Sequence, residues 1–198
     1  MFYNFIKHIA IIWIALFYRV RVEGRENFPA VGPVVVCANH TYAKDLIFIG
    51  RFASRKIYWI AKSELFRIPI FGRFIKSLGA FPINRGERDR ESVKTVYRVL
   101  KAGLPLGIFP EGHRYMDLDK RPRFSRGFVT IALNSSADIL PVAIRYEGGP
   151  FGRGKLFSRT VLYFGQLVKL DRGRGYSRAE LDEVAETVTS WVHKKIVC

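Results

Sequence analysis

GPVVVCANHTYAKD, residues 32–45, is the stretch whose reading decides the fold. A Gly-Pro start, a run of β-branched and small apolar residues, and then an abrupt polar break describe a buried strand that ends at a site. The apolar segment DLIFIGRFA, residues 45–53, reads as a helix, so the break falls between a strand and a helix. His40 and Asp45 stand five residues apart inside it. On a straight helix that spacing puts two side chains on different faces. With His40 closing the strand and Asp45 opening the helix, the turn between them brings the two together. An imidazole oriented by a carboxylate is then a general base with its partner. Taken alone, His-x4-Asp is a weak signal, and a lone histidine at a strand end is more often structural.

Outward from this stretch the pattern alternates. RVRVEG (19–24), KIYWIAK (56–62), AFPI (80–83), LPLGIFPEG (104–112) and DILPVAIRY (138–146) read as strands, and RTVLYFGQLVKL (159–170) supplies one or two more. FGRFIKSLG (71–79) predicts a helix ending near Gly79, and SRGFVTIALNSS (125–136) another. The clearest amphipathic helix is ERDRESVKTVYRVLKAG (87–103), with Val93, Val96, Tyr97 and Leu100 on one face. Asp89 and Glu91 sit early in it, Lys101 late, and Gly103 stops it. A last helix opens at Ser177–Glu180, whose SRAE matches a capping box. Strands alternating with helices predict an α/β fold, a single αβα domain around a mixed sheet spanning residues 19–198, with its site off the strand ends.

Composition narrows the partners. The 198 residues carry 33 Lys plus Arg against 17 Asp plus Glu, a formal net charge of +16. Such a surface attracts phosphates: nucleic acid, an anionic membrane or an acidic soluble partner. At 48% hydrophobic residues the chain is not globally disordered. Cys37, inside an apolar run, and Cys198 at the end make no disulfide framework, which favours a reducing compartment. At the front, residues 9–18 are continuously apolar, about half the length needed to cross a bilayer as a helix. Arg19 and Arg21 follow directly, and no small-residue cleavage site is present. Residues 1–18 are therefore expected to form an apolar, membrane-associating helix. A buried helix and a signal segment are the alternatives.

Four polar breaks flank hydrophobic strands: NHTYAKD (39–45), FPINRG (81–86), FPEGHR (109–114) and ILPVAI (139–144). In that order they resemble the four blocks of the glycerolipid acyltransferase family typified by 1-acylglycerol-3-phosphate acyltransferase, over residues 20–146. The resemblance implies an αβα fold on a membrane surface and acyl transfer from a thioester donor. It makes His40 and Asp45 catalytic. It makes Arg85, Glu111 and Arg114 candidates for holding the phosphorylated glycerol, and Gly112 the point where backbone approaches substrate. Pro141 is expected to shape the wall near the acyl chain; Arg126, in FSRG, is a weaker phosphate candidate and equally an ordinary exposed helix residue. Independently of the family, Arg85 and Arg114 suit bidentate phosphate binding, or else belong to a solvated basic face. Four positions depart from the family's habit: Tyr42 stands where Ser is common, His113 and Tyr115 replace Thr and Ser around Arg114, and Ser125 replaces Lys. These bear on the acceptor pocket and leave the His-Asp pair untouched.

The expected reaction needs no cofactor and no metal; acyl-CoA or an acylated carrier protein is the co-substrate and a lysophospholipid the acceptor, with glycerol 3-phosphate or another lysolipid as alternatives. The expected location is the cytoplasmic face of an anionic membrane, peripheral or monotopic. A nucleic-acid-binding reading explains the charge, and RKIYWIAK imitates a stacking surface, but it accounts for neither the apolar front nor the ordered blocks. A non-catalytic lipid-binding module leaves the His-Asp pair without a purpose. GPFGRGK (149–155) nearly matches a phosphate-binding loop, yet Leu156 occupies the Ser/Thr position and a strand follows where a helix is required. The four histidines are too scattered for a zinc motif.

Overall fold

The structure, a computed structural model, describes residues 12, 16–83, 90–114 and 123–197. The strands are β1 (Arg19–Glu23), β2 (Val34–Ala38), β3 (Tyr58–Lys62), β4 (Ala80–Ile83), β5 (Pro105–Ile108), β6 (Asp138–Tyr146) and β7 (Arg159–Phe164). The helices are α1 (Asp45–Phe52), α2 (Phe71–Ser77), α3 (Arg90–Lys101), α4 (Gly127–Asn134) and α5 (Arg178–Val197). Short 3-10 turns cover Arg25–Asn27 and Ser63–Arg67.

All seven strands join one sheet in the order β1-β7-β6-β2-β5-β3-β4. β6, β2, β5, β3 and β4 run parallel, β7 is antiparallel to β6, and β1 is parallel to β7. The sheet is therefore mixed, as expected. Its centre is β2, whose five residues are wholly buried between β5 and β6. This burial on both faces is why VVVCA carries no alternation. Val34, Val36 and Ala38 join the core with Phe48, Ile49 and Ile75 under α1 and α2. Val35 and Cys37 join the opposite core with Leu100, Phe128 and Val188 under α3, α4 and α5. Two helical layers on one sheet make the αβα sandwich.

The capping box forms: Glu180 N–H donates to Ser177 Oγ at 3.3 Å, and Ser177 N–H donates to Glu180 Oε2 at 2.8 Å. The apolar face of α3 is rotated from the expected one. Val96, Val99 and Leu100 are buried with Ser92, while Val93 is half exposed. The cause is polar: Ser92 Oγ donates to the Pro82 carbonyl of β4 at 3.0 Å and turns that side of the helix inward. In 159–170 one strand forms, and Val168 adds an isolated bridge to Ile139. The helix expected over 1–18 lies mostly outside the described residues; Ile12, Leu16 and Phe17 are helical. Among the described residues no helix is long and apolar enough to cross a membrane.

Candidate active site

Because β2, β3, β4, β5 and β6 are parallel, the segments that follow them emerge at one edge of the sheet. The turn 39–44 follows β2, the loop 109–114 follows β5, and Tyr146 ends β6. Asn39 fixes the turn at its root. Its side-chain amide donates to the Ile144 carbonyl at 3.0 Å, and its side-chain oxygen accepts the Ile144 N–H at 2.8 Å. The side chain thus extends the β2–β6 ladder by one step after the backbone has turned away.

His40 and Asp45 meet as expected. His40 Nδ1 lies 2.9 Å from Asp45 Oδ2. The same oxygen accepts the backbone N–H groups of Thr41 at 2.7 Å and Tyr42 at 2.8 Å. The other oxygen, Oδ1, accepts the Tyr146 hydroxyl. Asp45 is fully buried, yet four donors hold its carboxylate, which is the condition under which a buried charge is tolerated. The His40 side chain is 18% exposed, whereas that of Asp45 is fully buried.

Glu111 reaches the turn from the β5 loop, accepting the His40 N–H at 2.9 Å. Burial pushes its carboxyl up to about 8; the His40 N–H pulls the other way, and the nearby Asp45 charge adds to the rise. Gly112, next in the loop, has φ 77, the left-handed region glycine adopts freely, and its N–H closes the turn on the Phe109 carbonyl. Arg114 is exposed at the end of the described part of this loop. Arg126 stands just before α4, with its guanidinium 3.1 Å from both Asp182 oxygens of α5. Its neighbour Ser125 bonds the Pro110 carbonyl through both N–H and hydroxyl, which ties α4 to the same loop. Pro141 is buried in β6, in register with Cys37, and its carbonyl accepts the Gly165 N–H at 2.8 Å. Arg85 lies outside the described residues, between β4 and α3. The structure thus joins His40, Asp45 and Glu111 directly and places Gly112 and Arg114 in Glu111's loop. Arg126 and Pro141 sit in neighbouring elements.

The chain is similar to known proteins along most of its length. A family model described as Acyltransferase matches residues 19–145. The chain is 34% identical over 158 residues to a 1-acyl-sn-glycerol-3-phosphate acyltransferase of Bacillus subtilis, covering 79% of this chain and 76% of that one. This chain belongs to the acyltransferase family. It is also similar to the Borreliella burgdorferi protein of the same name, 29% identical over 188 residues, with 93% of this chain and 74% of the relative covered. The crystal structure of the 1-acyl-sn-glycerophosphate (LPA) acyltransferase PlsC from Thermotoga maritima superposes with a TM-score of 0.75 at 27% identity, over 98% of this chain and 77% of that one.

Several residues of this acyltransferase's site escape a sequence reading. The His40 ring stacks on Phe109, centroids 4.0 Å apart and 14° from coplanar, and Phe109 stacks on Trp59 at 5.0 Å and 13°. Three rings therefore run from β3 across β5 to β2. The stack crosses β5 at Gly107, where an added Cβ would lie 2.3 Å from the Trp59 ring. Glycine's missing side chain is what lets the indole lie flat on the sheet. Lys44 inserts its ammonium above the Tyr18 and Tyr42 rings, 4.6 Å from each centroid, and donates to the Gly154 carbonyl. Burial lowers its proton affinity. Tyr146 had a signal, its place at the carboxyl end of a buried strand; Phe109 opened the third block without a role of its own, and Trp59 and Gly107 had no signal beyond strand patterning.

Proposed function

We propose that this acyltransferase moves a fatty acyl group from a thioester donor, acyl-CoA or an acylated carrier protein, to the free hydroxyl of 1-acylglycerol 3-phosphate, giving phosphatidate. The observation that carries this reading is the pairing of His40 Nδ1 with Asp45 Oδ2 at the edge where the parallel strands end. The relatives named for that reaction support the acceptor.

The chemistry follows from the tautomer. Asp45 holds the proton on Nδ1, so Nε2 carries the lone pair. Nε2 takes the proton of the acceptor hydroxyl as its oxygen attacks the thioester carbonyl. The new C–O bond forms, the C–S bond breaks as the tetrahedral intermediate collapses, and the proton passes to the departing thiolate. Asp45 stabilises the imidazolium between the two transfers. A positioned base of this kind supplies roughly a hundred- to ten-thousandfold. The substrate brings its own nucleophile, so no acyl-enzyme is needed. Arg85 and Arg114 are the proposed phosphate ligands, with Arg126 as a further one. Glu111 and Gly112 border the acceptor, and Pro141 shapes the strand beneath. Residues 1–18 and the basic surface are proposed to hold domain 19–198 on the cytoplasmic face of an anionic membrane. Each well-placed Lys or Arg contributes about 1 kcal/mol there.

Purified protein incubated with defined acyl donors and a panel of hydroxylated acceptors, with products read by mass spectrometry, tests the proposal. Phosphatidate from lysophosphatidate is the expected product. Acylation of glycerol 3-phosphate or another lysolipid in its place overturns the acceptor assignment, and no acylation at all overturns the reaction.

A further inference from the structure

The stretch 147–158, between β6 and β7, has no part in the mechanism above, yet it is built with care. Backbone N–H groups of Gly152, Lys155 and Ser158 donate to the carbonyls of Gly149, Gly152 and Lys155 in successive turns. Its base is pinched so tightly that a Cβ on Gly149 would lie 2.6 Å from Ser158 Cα. Phe157 holds φ 60, a left-handed conformation costly for an aromatic residue, and its N–H donates to the Phe17 carbonyl at 2.7 Å.

This ordered loop displays apolar side chains to solvent. Phe151, Leu156 and Phe157, with Ile12 and Leu16 from the segment before β1, are between 41% and 65% exposed. Ring contacts join the loop to the segment before β1: the Phe17 and Phe157 rings lie 5.8 Å apart and those of Phe151 and Phe157 6.2 Å. Arg153 and Lys155 stand exposed among them. Topology puts this face at the catalytic edge. β1 begins opposite the first residue of β7, and β7 begins where β6 ends, so residues 16–18, the loop and Tyr146 share one end of the sheet. The loop is also strapped to the catalytic turn. Tyr42 OH donates to the Arg153 carbonyl at 3.2 Å, Lys44 Nζ to the Gly154 carbonyl, and Arg153 Nε to the Tyr146 carbonyl at 3.1 Å. A Cβ on Gly154 would strike the Tyr42 ring at 2.3 Å.

We propose that residues 149–157 form a second lipid-contacting element, joined to the N-terminal segment, which presses its apolar side chains into an anionic bilayer and braces the turn that carries His40 and Asp45. Exposed aromatic and aliphatic residues interleaved with cations, on a chain of net charge +16, match an interface of acyl chains under anionic headgroups. The inference rests on the membrane association proposed above.

The test uses the full chain with Cys198→Ser, since Cys37 is completely buried. Leu156→Cys in that background carries an environment-sensitive fluorophore. Vesicles of phosphatidylcholine with phosphatidylglycerol are compared with phosphatidylcholine alone, and sedimentation is measured in parallel. The expected result is co-sedimentation with anionic vesicles, a blue shift of the probe, and a fall in partitioning of roughly tenfold or more for Phe151→Ser/Leu156→Ser. That double variant should keep its thermal midpoint and its turnover of detergent-dispersed acceptor. Sedimentation without a probe shift, and with unchanged partitioning of the double variant, overturns this proposal and leaves membrane association standing. No sedimentation of the parent protein overturns membrane association itself and this inference with it.

Discussion

Gly107→Ala is the substitution whose effect the geometry specifies most closely. The new Cβ would sit 2.3 Å from Trp59 Cε3 and 2.6 Å from Cδ2 and Cζ3, so the indole must retreat by about 1 Å to reach ordinary contact at 3.4 Å. Trp59 is 3% exposed and packed in the core. Overpacking of this kind costs about 1–3 kcal/mol. The displacement does not stop at Trp59, because Phe109 stacks on that ring and His40 stacks on Phe109. A base moved by about 1 Å forfeits up to about a hundredfold in rate. We therefore expect Gly107→Ala to lower kcat for acyl transfer by roughly ten- to a hundredfold while the protein stays folded, with KM for the acceptor changed far less. The assay is steady-state transfer beside urea denaturation. Trp59→Leu, which removes the obstructed ring, should restore part of the stability of Gly107→Ala, giving a non-additive cycle. Normal kcat in Gly107→Ala, or strict additivity of the two changes in stability, would refute the view that the ring stack carries strain to His40.

Three other outcomes follow from the same geometry. Tyr146→Phe deletes one of the four donors to the buried Asp45 carboxylate and should cost about 1.5–3 kcal/mol in denaturation, with a fall in kcat that Tyr146→Leu does not improve. Asn39→Ala leaves both the N–H and the carbonyl of Ile144 without their partners and should cost about 2–5 kcal/mol, read as a lowered urea midpoint. Glu111 titrates near 8 in the folded protein against an ordinary 4.5, so within that window the folded state holds the extra proton. Its contribution is fully present below about pH 4.5 and is lost as the pH rises to about 8. Glu111→Gln, uncharged throughout, should gain on the parent protein by on the order of a few kcal/mol across that range in urea denaturation, and a pH-independent difference would contradict the assignment.

Much of this was legible in the chain. The unbroken run Val34–Ala38 announced a strand buried on both faces, and the polar break after it located the turn. His40 and Asp45 could be paired because strand-to-helix turns reverse direction over few residues. The ordered blocks located Glu111 and Gly112. What stayed hidden depends on register and on faces. That Glu111 reaches the backbone of His40, and not only a substrate, follows from β5 lying directly beside β2, an order no local pattern encodes. Tyr146 meets Asp45 across a separation of 101 residues, for the same reason. Val93 was misplaced on α3 because hydropathy alone ignores the bond from Ser92 to Pro82 that turns the helix. GPFGRGK (149–155) read only as a failed match to a phosphate-binding loop, since glycines needed for tight turns look the same in sequence as glycines of a slack linker.

The claim beneath all of this is that His40, steered by Asp45, removes the proton of the acceptor hydroxyl. Single-turnover acyl transfer by His40→Ala, compared with the parent protein at matched fold by circular dichroism, addresses it directly. A rate lowered by roughly a hundred- to ten-thousandfold with acceptor binding retained is the predicted result. Transfer within a few-fold of the parent rate would contradict it.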